Sequence, residues 1–181
     1  MRPHYFASVL DACVLAPMPI ADILLRLAEH DPPFYGPLWS RHILDEVKST
    51  VMKFGYNDSQ ASRRIAVMEE AFPEALVTGY ESLIDAMQNS PKDRHVLAAA
   101  VRAGADCIVS DNIKHFKKEA LQPFGLECLT AQDFLLHQYH LDPDSFIATL
   151  GEQAKDTRRT LADLVVLLSK HTPKLAELIK A

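Results

Sequence analysis

The sequence predicts an α/β protein with a three-layer α/β/α fold, in which helices cover both faces of a central parallel sheet. Apolar segments without turn residues, at positions 5–10 and 107–109, are typical of buried strands. Segments with helical periodicity separate the predicted strands, and this alternation favours a parallel sheet. Residues 141–181 show only helical patterns, which predicts a C-terminal helical extension after a domain formed by residues 1–140.

The first half of the chain contains several helices between its strands. Residues 21–29 have helical periodicity. Ser40 can cap a helix that runs to about Phe54. Residues 59–72 predict another helix, and residues 75–78 a short strand.

The second half continues the alternation. Pro91 suits the first position of a helix that Gly104 ends. The strand at 107–109 follows, and a further strand is predicted at 126–129, before a helix over 130–137. The extension has helical patterns at 142–151, 156–169 and 173–181.

Bulk composition limits the class of protein. The 181 residues are 48% hydrophobic and 24% charged, which is typical of a soluble globular protein. Three cysteines without a CxxC pair indicate neither a disulfide framework nor a zinc knuckle, and favour a reduced, cytoplasmic protein. No apolar run is long enough to span a membrane. A net charge of −5 disfavours coating of nucleic acid, but it allows an acidic metal pocket with a basic rim.

Carboxylates stand where the fold predicts a ligand site. Asp11 and Asp111 each follow a predicted strand, and ligands of parallel sheets bind at the carboxyl ends of strands. Asp93 opens the helix that leads into the second of these strands. In the helix after Ser40, helical geometry directs Asp45 into solvent and Glu46 towards a neighbouring cleft, which makes Glu46 the predicted site residue.

A cluster of carboxylates needs a cation, since the negative charges repel one another. Oxygen ligands suit Mg²⁺ or Mn²⁺. We predict that Asp11, Asp93 and Asp111 bind the metal and that Glu46 orients or deprotonates an attacking water, with Ser110 positioning Asp111 or a phosphate oxygen. Helix capping, a turn or a solvated helix surface would also explain each residue taken singly.

Four segments carry a resemblance to the PIN-domain family, over residues 5–137. They are VLDACVLAP (9–17), WSRHILDEV (39–47), PKDRHVLAAAVRAGADCIVSDN (91–112) and IKHF (113–116). The chain resembles the toxin of VapBC-type toxin–antitoxin pairs, and residues 141–181 resemble the C-terminal helical domain of one branch of these toxins. The resemblance implies a PIN fold, Mg²⁺-dependent endoribonuclease activity that leaves a 5′ phosphate, an RNA substrate, a cognate antitoxin and a homodimer.

The chain departs from the family pattern at two places. Cys13 stands where relatives generally have Asn or Ser. In the fourth motif, His115 stands where an Asp usually precedes Phe, and Asn112 stands where the Thr-x-Asp form has its Asp. Either Asp111 or Asn112 therefore completes the predicted metal site.

Basic residues near the motifs predict a rim that binds RNA, although ordinary solvated surface explains them equally well. The rim residues are Arg41, Lys92, Arg94, Lys114 and Lys117, with His42, Lys48, His115 and Lys118 nearby. His95 and Trp39 are predicted to be packing residues.

Two other functions stay open. The first is a PIN-fold module that binds a partner or RNA without cutting it, because the fourth metal ligand is uncertain. The second is an aspartate-nucleophile phosphatase, which also begins with an Asp at a strand end. That chemistry needs an Asp two positions later, where this chain has Cys13. A dinucleotide-binding enzyme is disfavoured, since no G-x-G-x-x-G follows the first strand.

Overall fold

A computed structural model describes residues 6–180 and contains a five-stranded sheet in which all neighbouring strands are parallel. The strand order is β3-β2-β1-β4-β5. The strands are β1 (Ala7–Leu10), β2 (Gly36–Ser40), β3 (Leu76–Val77), β4 (Cys107–Val109) and β5 (Glu127–Leu129). The predicted α/β fold class, with a parallel sheet between helices and a helical extension, is confirmed. Residue 5, the predicted start of the first strand, lies outside the described residues.

Ten α-helices of the described chain surround and extend the sheet. They are α1 (Ala12–Leu15), α2 (Met18–Glu29), α3 (Arg41–Lys53), α4 (Asp58–Ala71), α5 (Arg94–Ala103), α6 (Lys118–Leu121), α7 (Ala131–Leu141), α8 (Pro143–Asp156), α9 (Leu161–Leu168) and α10 (Pro173–Lys180). Within residues 6–180, no helix combines the length and the apolar character that crossing a membrane requires.

β1 lies in the centre of the sheet. Its Val9 is in register with Leu38 of β2 and with Ile108 of β4. At the carboxyl end of β1, the amide of Asp11 donates a 3.0 Å hydrogen bond to the carbonyl of Val109. The residues that follow β1 and β4 are therefore neighbours at one edge of the sheet.

β2 is a strand that the local sequence does not predict. Gly36 and Pro37 at its start are typical of turns rather than strands. The strand nevertheless contains Trp39, which is fully buried. The predicted cap of the next helix is confirmed, because Ser40 Oγ accepts a 3.2 Å hydrogen bond from the amide of Ile43.

The helix predicted from Pro91 begins with a 3₁₀ turn, Pro91–Asp93, before α5 itself. Gly104 ends α5 in the left-handed conformation at φ 63°, as predicted. Asp93 lies at the junction between the 3₁₀ turn and α5, with its side chain buried.

The C-terminal helices share the hydrophobic core of the sheet domain. Leu150, Leu164 and Leu175 are buried in that core. Between α8 and α2, Gln153 Nε2 donates a 3.1 Å hydrogen bond to the carbonyl of Pro19. The extension thus packs on the α/β layers; the assignment of residues 1–140 and 141–181 as separate units stays a prediction.

Candidate metal centre

Three of the predicted acidic residues line one cavity of about 330 Å³ at the carboxyl edge of the sheet. Asp11 reaches it from the end of β1, Glu46 from α3 and Asp93 from the start of α5. Asn112, from the loop after β4, lines the same cavity. The remaining lining residues are Ala12, Cys13, Ser49, Thr50, Lys53 and Lys92.

Asp11 is held by hydrogen bonds to both of its carboxylate oxygens. Oδ1 accepts from the amide of Ala12 at 2.7 Å, so the residue does cap a helix. Oδ2 accepts from Ser110 Oγ at 2.6 Å and from Cys13 Sγ at 3.3 Å. Burial raises the pKa of Asp11, and the nearby charge of Asp93 adds to the increase, while the three hydrogen bonds oppose it. A cation in the cavity would therefore stabilise the ionised form of Asp11.

Cys13 contributes a hydrogen bond to the site despite its departure from the family pattern. Burial and the negative charge of Asp11 raise the pKa of its thiol to about 12. The thiol therefore stays protonated at neutral pH and can donate to Asp11, although sulfur is a weak donor. Its Sγ also accepts a 3.3 Å hydrogen bond from the amide of Asp111, which ties the loop after β4 to the cavity.

Ser110 connects the two strand ends. Its predicted partner was Asp111 or a phosphate oxygen, but in the structure its hydroxyl donates to Asp11. The same oxygen accepts a 3.1 Å hydrogen bond from the amide of Asn112, which helps to place Asn112 at the cavity. Ser110 is fully buried.

Glu46 lies at the cavity, whereas Asp45 is exposed on another part of α3. Burial raises the pKa of Glu46, but His95, His42 and Lys92 lower it by more, so that its pKa falls below the ordinary value. Glu46 is therefore ionised at neutral pH and can accept a proton or a hydrogen bond from water.

Asp93 is buried without serving as a helix cap, since its side chain makes no capping hydrogen bond at α5. Its Oδ2 lies 2.7 Å from Nδ1 of His115, yet the two atoms lack the alignment of a hydrogen bond. Capping, the ordinary explanation for an Asp at this position, therefore does not account for Asp93.

Asp111 is placed differently from the other three acids. It is exposed and is not among the residues that line the cavity. Its Oδ1 accepts a 2.9 Å hydrogen bond from the amide of Ala131, the first residue of α7. Between the two candidates for the fourth ligand, this geometry favours Asn112.

The donors at the cavity fit a hard divalent cation. Asp11, Glu46, Asp93 and Asn112 offer only oxygen atoms, which Mg²⁺ and Mn²⁺ prefer. A buried carboxylate oxygen without an aligned hydrogen bond, such as Asp93 Oδ2, is costly unless a cation or water binds it. Asp11 and Asp93 are thus the residues best placed to hold such an ion.

The basic residues predicted to bind RNA lie in different environments. Lys92 lines the cavity, and so does Lys53, which our sequence analysis missed. Arg41 forms an ion pair with Glu69 of α4. Lys114 and Lys117 are exposed, and Arg94 is half-buried with its Nε lacking a hydrogen-bond partner. Lys92 and Lys53 therefore place positive charge at the acidic cavity.

Trp39 and His95 were predicted to be packing residues, and both are buried. His95, however, also stacks on His42 and has its Nε2 3.5 Å from Glu46 Oε2. The sequence signal for this contact was weak: His42 and Glu46 are one helical turn apart, but His95 comes from a distant helix.

Comparison with known proteins finds a partial relative. A protein of Mycobacterium tuberculosis named "Putative ribonuclease VapC50" is 54% identical to this chain over 67 residues. The match spans 37% of this chain and 40% of that protein. No protein-family model and no solved structure matches the chain. Part of the chain is therefore similar in sequence to a protein named as a VapC ribonuclease.

Proposed function

We propose that the protein is a Mg²⁺-dependent endoribonuclease and the toxin of a VapBC-type toxin–antitoxin pair. The observation that carries the proposal is the cavity in which Asp11, Glu46 and Asp93 meet from three separate segments. Such a cluster of carboxylates suits a divalent cation and a phosphodiester substrate. The name of the partial relative supports the same activity and substrate class.

In this proposal, Asp11 and Asp93 would hold the ion, and Asn112 or Asp111 would complete the site. When bound, Mg²⁺ would lower the pKa of a water and neutralise charge on the phosphoryl oxygens. Ser110 and Cys13 hold the Asp11 carboxylate in place. Lys53 and Lys92 attract the phosphate to the cavity.

Glu46 serves as the general base. It takes a proton from the attacking water as the water oxygen bonds to phosphorus. The bond from phosphorus to the 3′ oxygen breaks, the departing 3′ oxygen takes a proton from solvent and becomes a hydroxyl, and the other product keeps a 5′ phosphate. The lowered pKa of Glu46 keeps it ionised for this step.

The proposal includes partners and a compartment. A cognate antitoxin would bind over the cavity and block it, and the chain would form a homodimer in the cytoplasm. Co-expression with the product of a small neighbouring reading frame, followed by size-exclusion chromatography with light scattering, tests both associations.

The central experiment measures cleavage of labelled single-stranded RNA with Mg²⁺ by wild type, Asp11→Asn, Asp93→Asn and Asp45→Asn. We expect the first two variants to lose cleavage by at least about 100-fold. The matched control, Asp45→Asn, removes an exposed carboxylate of α3 and should cleave like wild type. Circular dichroism establishes that each variant is folded. Wild-type rates in both cavity variants would contradict the mechanism.

A non-catalytic module remains the second candidate, because Asp111 contacts α7 and leaves the cavity with three carboxylates. Calorimetric titration with Mn²⁺ separates the two. Absence of binding at millimolar Mn²⁺ would favour the module. Turnover of a chromogenic phosphomonoester would instead favour the phosphatase, but Cys13 at the acid/base position argues against that chemistry.

A further inference from the structure

A second cluster of potential ligands lies beside the carboxylate cavity. It consists of His42 and Glu46, one turn apart on α3, and His95 on α5. One ligand atom from each side chain lies within 4.8 Å of the other two. The rings of His42 and His95 stack with centroids 3.7 Å apart and an angle of 14° between their planes.

His95 is the part of this cluster that packing does not explain. Its side chain is 3% exposed, and neither ring nitrogen has a hydrogen-bond partner among the described residues. Nε2 lies 3.5 Å from Glu46 Oε2, which is long for a hydrogen bond. A buried polar atom left without a partner costs about 1–3 kcal/mol. A metal ion or a water bound to a ring nitrogen of His95 would remove this cost.

We propose that His42, Glu46 and His95 form a binding site for Zn²⁺ or a similar transition-metal ion. Two imidazole nitrogens and one carboxylate oxygen are typical zinc ligands, and three protein ligands leave a position for water. Imidazole favours Zn²⁺ over Mg²⁺, whereas the oxygen donors of the neighbouring cavity favour Mg²⁺. The two sites therefore differ in their preferred metal although they share Glu46, and binding of Zn²⁺ does not depend on ribonuclease activity.

The cluster needs only a local adjustment to hold an ion. With metal–ligand bonds of about 2.0–2.2 Å, two ligand atoms of one ion can be at most about 4.4 Å apart. The ligand atoms lie within 4.8 Å of one another, so at most a few tenths of an ångström of approach is needed. Parallel stacked rings cannot both direct a lone pair at one ion, so one ring must turn. His42 is exposed and free to do so, while buried His95 stays in place.

Glu46 belongs to both sites, because it lines the carboxylate cavity and also faces His95. Its carboxylate has two oxygens, of which Oε2 is the one near His95. Loss of Glu46 should therefore weaken Zn²⁺ binding, whereas loss of Asp11, which belongs to the cavity alone, should not. This difference distinguishes the two sites experimentally.

Isothermal titration calorimetry of the untagged full chain with ZnCl₂, in excess MgCl₂, tests the proposal. We expect one Zn²⁺ per chain. His42→Ala and Glu46→Gln should each weaken the affinity by roughly tenfold or more. His137→Ala, which removes an exposed histidine of α7, is the matched control and should bind like wild type, as should Asp11→Asn.

Three results would overturn the site. They are no Zn²⁺ binding by wild type, equal affinities of wild type and His42→Ala, and loss of Zn²⁺ in Asp11→Asn with full binding in Glu46→Gln. The last result would place the ion in the carboxylate cavity. Since calorimetry reports binding without RNA, a failure of the ribonuclease proposal leaves this measurement unaffected.

Discussion

Ser110 Oγ donates a 2.6 Å hydrogen bond to Asp11 Oδ2 and thereby joins the end of β4 to the end of β1. The two residues are 99 positions apart in the chain. Both side chains are buried, so water does not compete with this contact. The bond supports the ionised form of a carboxyl whose pKa burial raises. Ser110 thus acts on the proposed metal centre through Asp11.

The Ser110→Ala variant removes the hydrogen bond to Asp11. A hydrogen bond to a charged group contributes about 1.5–3 kcal/mol, so we expect RNA cleavage at neutral pH to fall roughly tenfold or more. The pKa of Asp11 rises when the bond is lost, and the acid limb of the pH–rate profile should move to higher pH. Ser49→Ala, at the exposed cavity margin, is the control. An unchanged profile in Ser110→Ala would argue against a positioning role.

Asp11→Asn should stabilise the protein when no divalent cation is present. Because burial holds the pKa of Asp11 above its ordinary value, the unfolded chain ionises first as pH rises, and stability falls across that interval. The asparagine side chain does not ionise, so the variant keeps its stability across this interval. The difference in free energy of unfolding between variant and wild type should be small in acid. It should grow as pH rises from the ordinary pKa of Asp to the raised pKa of Asp11 in the folded protein, and then stay constant.

Urea denaturation in EDTA at several pH values measures this advantage, with Asp45→Asn as the exposed control. Added Mg²⁺ should stabilise wild type and reduce the difference. A variant less stable than wild type at neutral pH in EDTA would contradict the argument.

The fourth ligand can be assigned with two neighbouring substitutions. Asp111→Ala loses the hydrogen bond to the Ala131 amide and should cost about 0.5–1.5 kcal/mol of stability, with cleavage close to wild type. Asn112→Ala loses an oxygen at the cavity, and the Mg²⁺ concentration for half-maximal cleavage should rise roughly tenfold. The reverse pattern would assign the ligand to Asp111.

Continuous apolar residues predicted the two central strands at 5–10 and 107–109. β4 could be predicted because Cys107, Ile108 and Val109 are apolar and polar residues follow them directly, and the structure confirms that all three are buried. β2 could not, because Gly36 and Pro37 have the local preferences of a turn, and only tertiary pairing with β1 makes the segment extended.

The site was predictable to the extent that local patterns fix the direction of a side chain. Helical periodicity separated Glu46 from Asp45, and strand ends indicated Asp11. The contact of Asp111 with Ala131 depends on how the loop after β4 approaches α7, which no local pattern encodes. The stacking of His42 on His95 likewise arises from the packing of two helices far apart in the chain.

The C-terminal helices should unfold together with the sheet, because Leu150 of α8 is fully buried in the common core. Leu150→Ala should cost about 2–5 kcal/mol. Trp39 is the single tryptophan and lies in β2, so its fluorescence reports on unfolding of the sheet. Leu150→Ala should therefore lower the urea concentration at which half of the Trp39 fluorescence change has occurred.

The control is Val166→Ala in α9, where the side chain is 55% exposed. This substitution should change the urea midpoint little. An unchanged Trp39 transition in Leu150→Ala would mean that residues 141–181 fold as an independent unit.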